Sequence, residues 1–168
     1  VSYQLALIVS RVQAALRRGT TLGDVEDLVD AFRRTHGMAF SLASLDYIQR
    51  GGRISKGRAL MGNLLGVRPI LQIVGGEIDQ YAKVRGADRM MPALRDFVVE
   101  RTNADSPLHV SVAHAVAPEV IAELTALITE ARPNATIDLV CEIGPVVGTH
   151  AGPGAVGVAC FHDPSDQT

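Results

Sequence analysis

Tryptophan is absent and aromatic residues make up only 4% of the 168 positions. Stacking platforms for bases or sugars are therefore not to be expected, and any core must be mostly aliphatic. Neither sign of charge dominates, with 16 Lys and Arg against 18 Asp and Glu for a formal net charge of -2, which excludes the strongly basic face of a nucleic-acid binder. No apolar run approaches the ~20 residues of a membrane span. The opening Val1-Ser2-Tyr3-Gln4 lacks both the basic start of a secretory signal and an initiator Met, so it reads as a position inside a longer chain. The 2 cysteines, Cys141 and Cys160, fall in strand-like runs and match no zinc or Cys-x-x-Cys spacing. They read as reduced, structural thiols and point to the cytoplasm. What is present, 47% hydrophobic and 20% charged residues, is the balance of a globular chain with one real core.

Leu5, Ile8, Val9, Val12 and Leu16 recur at helical spacing and end at Arg17-Arg18-Gly19, which suits a helix carboxyl end. Thr21 with Asp24 resembles a capping box for a second helix through Val25, Leu28, Val29 and Phe32, stopping near His36-Gly37. Residues 1–36 thus read as a leading helical segment, 37–162 as an α/β domain and 163–168 as a frayed polar tail. Within the domain, Met38 to Ser44 reads as a strand, Leu45 to Arg50 as a helical turn broken at Gly51-Gly52, and Gly57 to Leu65 as a short helix. Val67 to Val74 and Ile78 to Lys83 form a hairpin across Gly75-Gly76, a pair suited to a turn with positive φ. Ala87 to Arg101 is helical, with Pro92 tolerated only in its first turn. Leu108 to Ala113, Pro118 to Ala131 and Thr136 to Cys141 make a strand-helix-strand unit, and a loop from Gly144 to Gly154 leads to a closing strand, Ala155 to Phe161. Hairpins beside helix-linked strands imply a mixed, partly antiparallel sheet covered by helices.

Three segments could carry chemistry. Arg53 follows Gly51-Gly52 at a helix-loop junction, where its planar guanidinium could hold a carboxylate or phosphate through two parallel bonds, or could equally make a surface ion pair. Lys83-Val84-Arg85-Gly86 stands before a helix start, a place that favours anions, but a solvated basic turn fits as well. His150 lies among Gly148, Gly152 and Gly154 beside Thr149, either as a hydrogen-bond donor to an anionic oxygen or as a structural histidine in a tight turn. His36, His109, His114 and His162 are scattered, without the spacing of a zinc motif, and read as structural. Asp46, Glu77 and Asp79 read as solvated carboxylates, and no Walker loop or Gly-x-Ser-x-Gly elbow occurs.

Five segments in order resemble the DegV family, which includes the fatty-acid-binding subunits of bacterial fatty acid kinase. They are Leu45 to Ser55, Leu64-Leu65-Gly66-Val67-Arg68-Pro69-Ile70, Gly76-Glu77-Ile78, Lys83-Val84-Arg85-Gly86 and Gly144 to Gly157. The resemblance is to the carboxyl-terminal part of that family. It implies a protein whose acyl chain lies in an apolar tunnel with its carboxylate near a domain junction, a carrier rather than a catalyst. A partner kinase would phosphorylate the carboxylate to an acyl phosphate, and no cofactor or metal beyond the bound fatty acid would be needed. On matching motifs, His150, Arg53, Arg85, Thr149, Gly152 and Gly154 would form the ligand site, with Arg53, Arg85 and Lys83 meeting the kinase. The family's amino-terminal Asp-Ser and Ser/Thr-rich motifs have no counterpart here, and the two leading helices would belong to the junction with that domain. Two other readings stand beside this one: a phosphotransfer enzyme with its own nucleotide site, and an interaction module that binds no ligand in this form.

Overall fold

A computed structural model describes residues 2–53 and 66–163. The short helix expected over Gly57 to Leu65 lies outside the described residues. Six strands form one sheet in the order β3-β2-β1-β6-β4-β5: β1 is Gly37–Ser41, β2 Val67–Val74, β3 Glu77–Arg85, β4 Leu108–His114, β5 Ala135–Glu142 and β6 Val156–His162. Every neighbouring pair is antiparallel except β4 and β5. That parallel pair is joined by a single 3-10 turn, Pro118–Val120, and α5, Ile121–Ala131, as a crossover requires. The mixed, partly antiparallel sheet expected from the sequence is therefore the architecture found.

The hairpin forms where the glycine pair allows it. Gly75 and Gly76 take φ of 59° and 83° between the paired residues Val74 and Glu77, and positive φ at both central positions twists the turn to match the strands. α1 (Ser2–Arg17) and α2 (Leu22–Thr35) are the two leading helices. The start of α2 is fixed as the sequence suggests: Thr21 Oγ1 accepts from Asp24 N, while the Asp24 carboxylate accepts from Thr21 Oγ1 at 2.6 Å and from Thr21 N at 3.0 Å, and these last two bonds hold the carboxyl below its usual range.

One face of the sheet carries the main core. Leu94, Phe97 and Val98 of α4 (Met90–Arg101) and Leu124 and Ile128 of α5 pack on Ala39, Ile70, Val110, Val112 and Val158, all fully buried. Fully burying each large side chain stabilises the fold by roughly 1.5–3 kcal/mol. Pro92 is the third residue of α4, in the first turn where its missing N–H costs nothing.

The opposite face is covered in two ways. Over β4, β5 and β6 lie α1 and α2, and their contacts are dense and partly ionic. Arg11 donates from Nε and Nη2 to Asp163 Oδ2 at 3.1 and 2.8 Å. Its Nη1 lies 3.8 Å from Asp138, whose other oxygen bonds His109 Nδ1 at 2.8 Å. Phe161 stands edge-on to Phe32 and tilted against His109 beside this group.

Several expectations change. The strand expected over Met38 to Ser44 stops at Ser41. α1 is rotated from its expected face, with Tyr3, Leu7, Ile8 and Ala15 buried while Leu5, Val9 and Leu16 are 62%, 57% and 54% exposed. Two stripes overlap on that helix, and the one carrying Arg11 wins because the guanidinium finds two carboxylates beneath it. Asp163, expected in a frayed tail, is buried as the partner of Arg11; residues 164–168 lie outside the described residues. The loop expected from Gly144 to Gly154 contains a helix, α6, Pro145–Ala151. Pro145 occupies its first position, where proline is favoured, and the glycine density that suggested a loop belongs mostly to its end.

Candidate functional site

The β1–β3 part of the same face lines a cavity of about 300 Å³. Its floor is apolar: Met38 and Phe40 of β1, Ile73 of β2 and Ile78 of β3, with Ile143 and Val147 at one side. Met38 pairs with Ala159, and Ser111 pairs with the same residue, so the row of side chains continues under α1, where Ser111 Oγ donates to Tyr3 O. Cavity and helix thus share one continuous surface.

A guanidinium and an imidazole reach the cavity, those of Arg53 and His150. Both are positioned by the end of α3, Asp46–Arg50. That helix closes in a Schellman motif: Gly52, at φ 68°, donates its N–H to Gln49 O at 3.0 Å, and the Arg53 N–H reaches Ile48 O at 3.2 Å. The Arg53 side chain folds back so that Nη1 donates to Gly51 O at 2.7 Å. From the other side, the His150 ring in the last turn of α6 rests on Gly51, where any Cβ would run into Nδ1 and Cε1. The two glycines divide the work, Gly52 turning the chain and Gly51 leaving room for the imidazole. His150 Nδ1 is buried with no hydrogen-bond partner among the described residues.

The remaining expected site residues lie elsewhere. Thr149 Oγ1 donates to Pro145 O at 2.7 Å and borders a separate depression with Tyr47, Arg50 and Gly51. Gly152 ends α6 with the Tyr47 ring where its Cβ would be, and a Cβ on Gly154 would lie 3.0 Å from that of Ala43. Both glycines let α6 and its exit pack closely against the α3 region. Lys83 and Arg85 are exposed on edge strand β3. Arg85 pairs with Val67 at the far end of the hairpin from Ile78, roughly 23 Å along the strand at 3.3 Å per residue. The structure brings Arg53 and His150 together and leaves Arg85 and Lys83 apart from them.

The other histidines have structural partners. His36 stacks on Phe32, His114 Nδ1 accepts from Ala117 N, and His162 Nε2 accepts from Asn103 N while its Nδ1 bonds Pro107 O. Both cysteines are free thiols, and burial pushes that of Cys160 up to about 12. Among the described residues no cluster of three His, Cys, Asp or Glu could hold a metal ion, and no helix is long and apolar enough to cross a membrane. Tyr3, which lines the cavity, escaped sequence reasoning because the helical pattern around it put Leu5 inward.

The family model described as "Uncharacterised protein, DegV family" matches residues 1–163. This chain belongs to the DegV family. Among curated relatives, a DegV domain-containing protein of Streptomyces coelicolor is 35% identical over 148 residues, covering 86% of this chain and 52% of that protein. A fatty acid-binding protein of Thermotoga maritima is 34% identical over 145 residues, covering 84% of this chain and 50% of that protein. The chain therefore spans about half the length of the curated relatives it matches. A solved fatty-acid-binding DegV family protein from Thermus thermophilus superposes with a TM-score of 0.81 at 26% identity, over 95% of this chain and 57% of that one. The DegV fold expected from the five ordered segments is thus the fold present.

Proposed function

We propose that this protein binds a long-chain fatty acid, holding the acyl chain on the β1–β3 surface and the carboxylate at Arg53 and His150. The observation that carries the reading is the cavity itself, an aliphatic and aromatic floor with a guanidinium and an imidazole at one end. Water gains nothing from that floor, while each methylene buried against it contributes roughly 0.8 kcal/mol. The His150 imidazole and the Arg53 guanidinium supply donors whose bonds to a carboxylate are charge-assisted, the stronger kind of hydrogen bond. Named for their ligand, the Thermotoga and Thermus relatives support this use of the fold.

The same reading makes the protein a carrier that presents its ligand. A partner kinase phosphorylates the carboxylate to an acyl phosphate and supplies the nucleotide site, and exposed Arg85 and Lys83 with Arg53 offer that partner a positive surface. Thr149, Gly152 and Gly154 shape the helix end that holds His150 in place.

The test is lipid extraction and mass spectrometry of gently purified full-length protein, with calorimetric titration of ATP. A stoichiometric fatty acid and no ATP binding are expected. Protein that carries no fatty acid and takes none up from added lipid would count decisively against the reading.

A further inference from the structure

Tyr3 stands between the cavity and the half of the sheet face that α1 covers. Its ring is 3% exposed and forms a cavity wall, while the hydroxyl donates to Ala39 O at 3.3 Å. Toward β1 the ring meets Met38 and Phe40, and toward β6 and β4 the sheet residues near it are small. Ala113 and Ala159 belong to the same buried cluster, and at Gly157 a Cβ would strike the Tyr3 hydroxyl. Gly157 pairs with Phe40 of the cavity floor on one side and with Ala113 on the other, so floor and small-residue patch form one row across β1, β6 and β4. The Tyr3 side chain, projecting from α1, stands over that patch. Larger residues at those positions would have filled the space above it from the sheet; instead the sheet is bare and the tyrosine is the filler.

Resting on the lipid reading above, we propose that Tyr3 is a specificity-determining residue for acyl-chain length: its ring is the stop that ends the cavity over β6. Burial raises the phenol well above its ordinary range, so the ring remains a neutral, hydrogen-bonded plug. Cutting it back joins the space above Gly157, Ala159 and Ala113 to the cavity. Each further methylene that this space buries raises affinity about fourfold. A Cβ at residue 157 acts in the opposite sense by pushing the ring toward the cavity.

The experiment measures affinity of delipidated full-length protein for saturated fatty acids that lengthen by two carbons at a time, in wild type, Tyr3→Phe, Tyr3→Leu, Tyr3→Ala and Gly157→Ala, with circular dichroism melts to confirm folding. Tyr3→Phe should keep the wild-type optimum, since it retains the ring. Tyr3→Leu and Tyr3→Ala should move it to longer chains by two carbons or more, and Gly157→Ala to shorter ones. Tyr3→Leu keeps an apolar contact for α1 and serves as the decisive variant if Tyr3→Ala does not fold. Wild type that binds fatty acid, together with a folded Tyr3→Leu whose optimum is unchanged, overturns the assignment alone. Wild type that binds no fatty acid of any length overturns the lipid reading and the assignment with it.

Discussion

The two halves of one sheet face are built for opposite ends. Over β4, β5 and β6 the surface is closed by α1 and α2, with a partly buried chain of Arg11, Asp163, Asp138 and His109 tying the helix to the strands. Over β1, β2 and β3 the same surface is equally apolar but lines a cavity. The difference lies in what the covering element brings. A helix that supplies Tyr3, Leu7, Ile8 and a guanidinium finds partners for each, and the contact becomes part of the fold. The hairpin half offers Met38, Phe40, Ile73 and Ile78, with Arg53 and His150 reaching the same cavity, a surface better suited to a flexible apolar chain than to further protein core.

This contrast separates stability from binding, and substitutions can set the two against each other. The largest effect on folding is expected from Arg11→Ala, which takes the guanidinium away from the buried Asp163 and the half-buried Asp138. A loss of about 3–5 kcal/mol is expected in urea denaturation; a loss under 1 kcal/mol would mean that the closed half is not held by its ionic chain. Ile73→Asp should do the reverse. It sets a carboxylate in the cavity floor at a half-exposed position, so fatty-acid affinity should fall more than a hundredfold by competition assay while the folded state persists in a thermal melt.

At the polar end, His150→Ala should lower affinity roughly tenfold or more, the worth of one hydrogen bond to a charged group. Gly51→Ala should mimic it by displacing the ring. The double variant should be no worse than either single one, because both act through the same imidazole; additive losses would show that Gly51 matters for another reason. The smallest effect should follow Arg85→Ala, which lies at the far end of the hairpin. Melting and fatty-acid affinity should stay within about 0.5 kcal/mol of wild type, with any change confined to kinase-dependent turnover. A clear fall in fatty-acid affinity would bring Arg85 back into the ligand site.

Much of the fold was legible because its signals are local. Thr21 and Asp24 bond each other three residues apart, Gly75-Gly76 makes its own turn, and Pro92 could sit only in a first turn. The helix carrying His150 was not legible as a helix, because Gly148 and Gly152 raise the glycine density and only Pro145 marks its start. The inward face of α1 could not be read either. Leu5, Val9 and Leu16 make the more hydrophobic stripe, and the competing one depends on Arg11 meeting Asp138 and Asp163, which are distant in sequence. The site was half legible. Arg53 and His150 were singled out by residue type and neighbouring glycines, but their meeting at Gly51 is a tertiary fact, and so is the role of Tyr3 beside Gly157.

The central claim is that the open half of the face, and not the closed half, receives the acyl chain. A fatty acid bearing a photoreactive diazirine near its methyl end, bound to delipidated full-length protein and irradiated, tests this by peptide mass spectrometry. Labelling of the β1 segment with Met38 and Phe40 and of the hairpin with Ile73 and Ile78, suppressed by excess unlabelled fatty acid, is the result the account predicts. Labelling confined to the surface of α1 and α2, or unaffected by competitor, would contradict it.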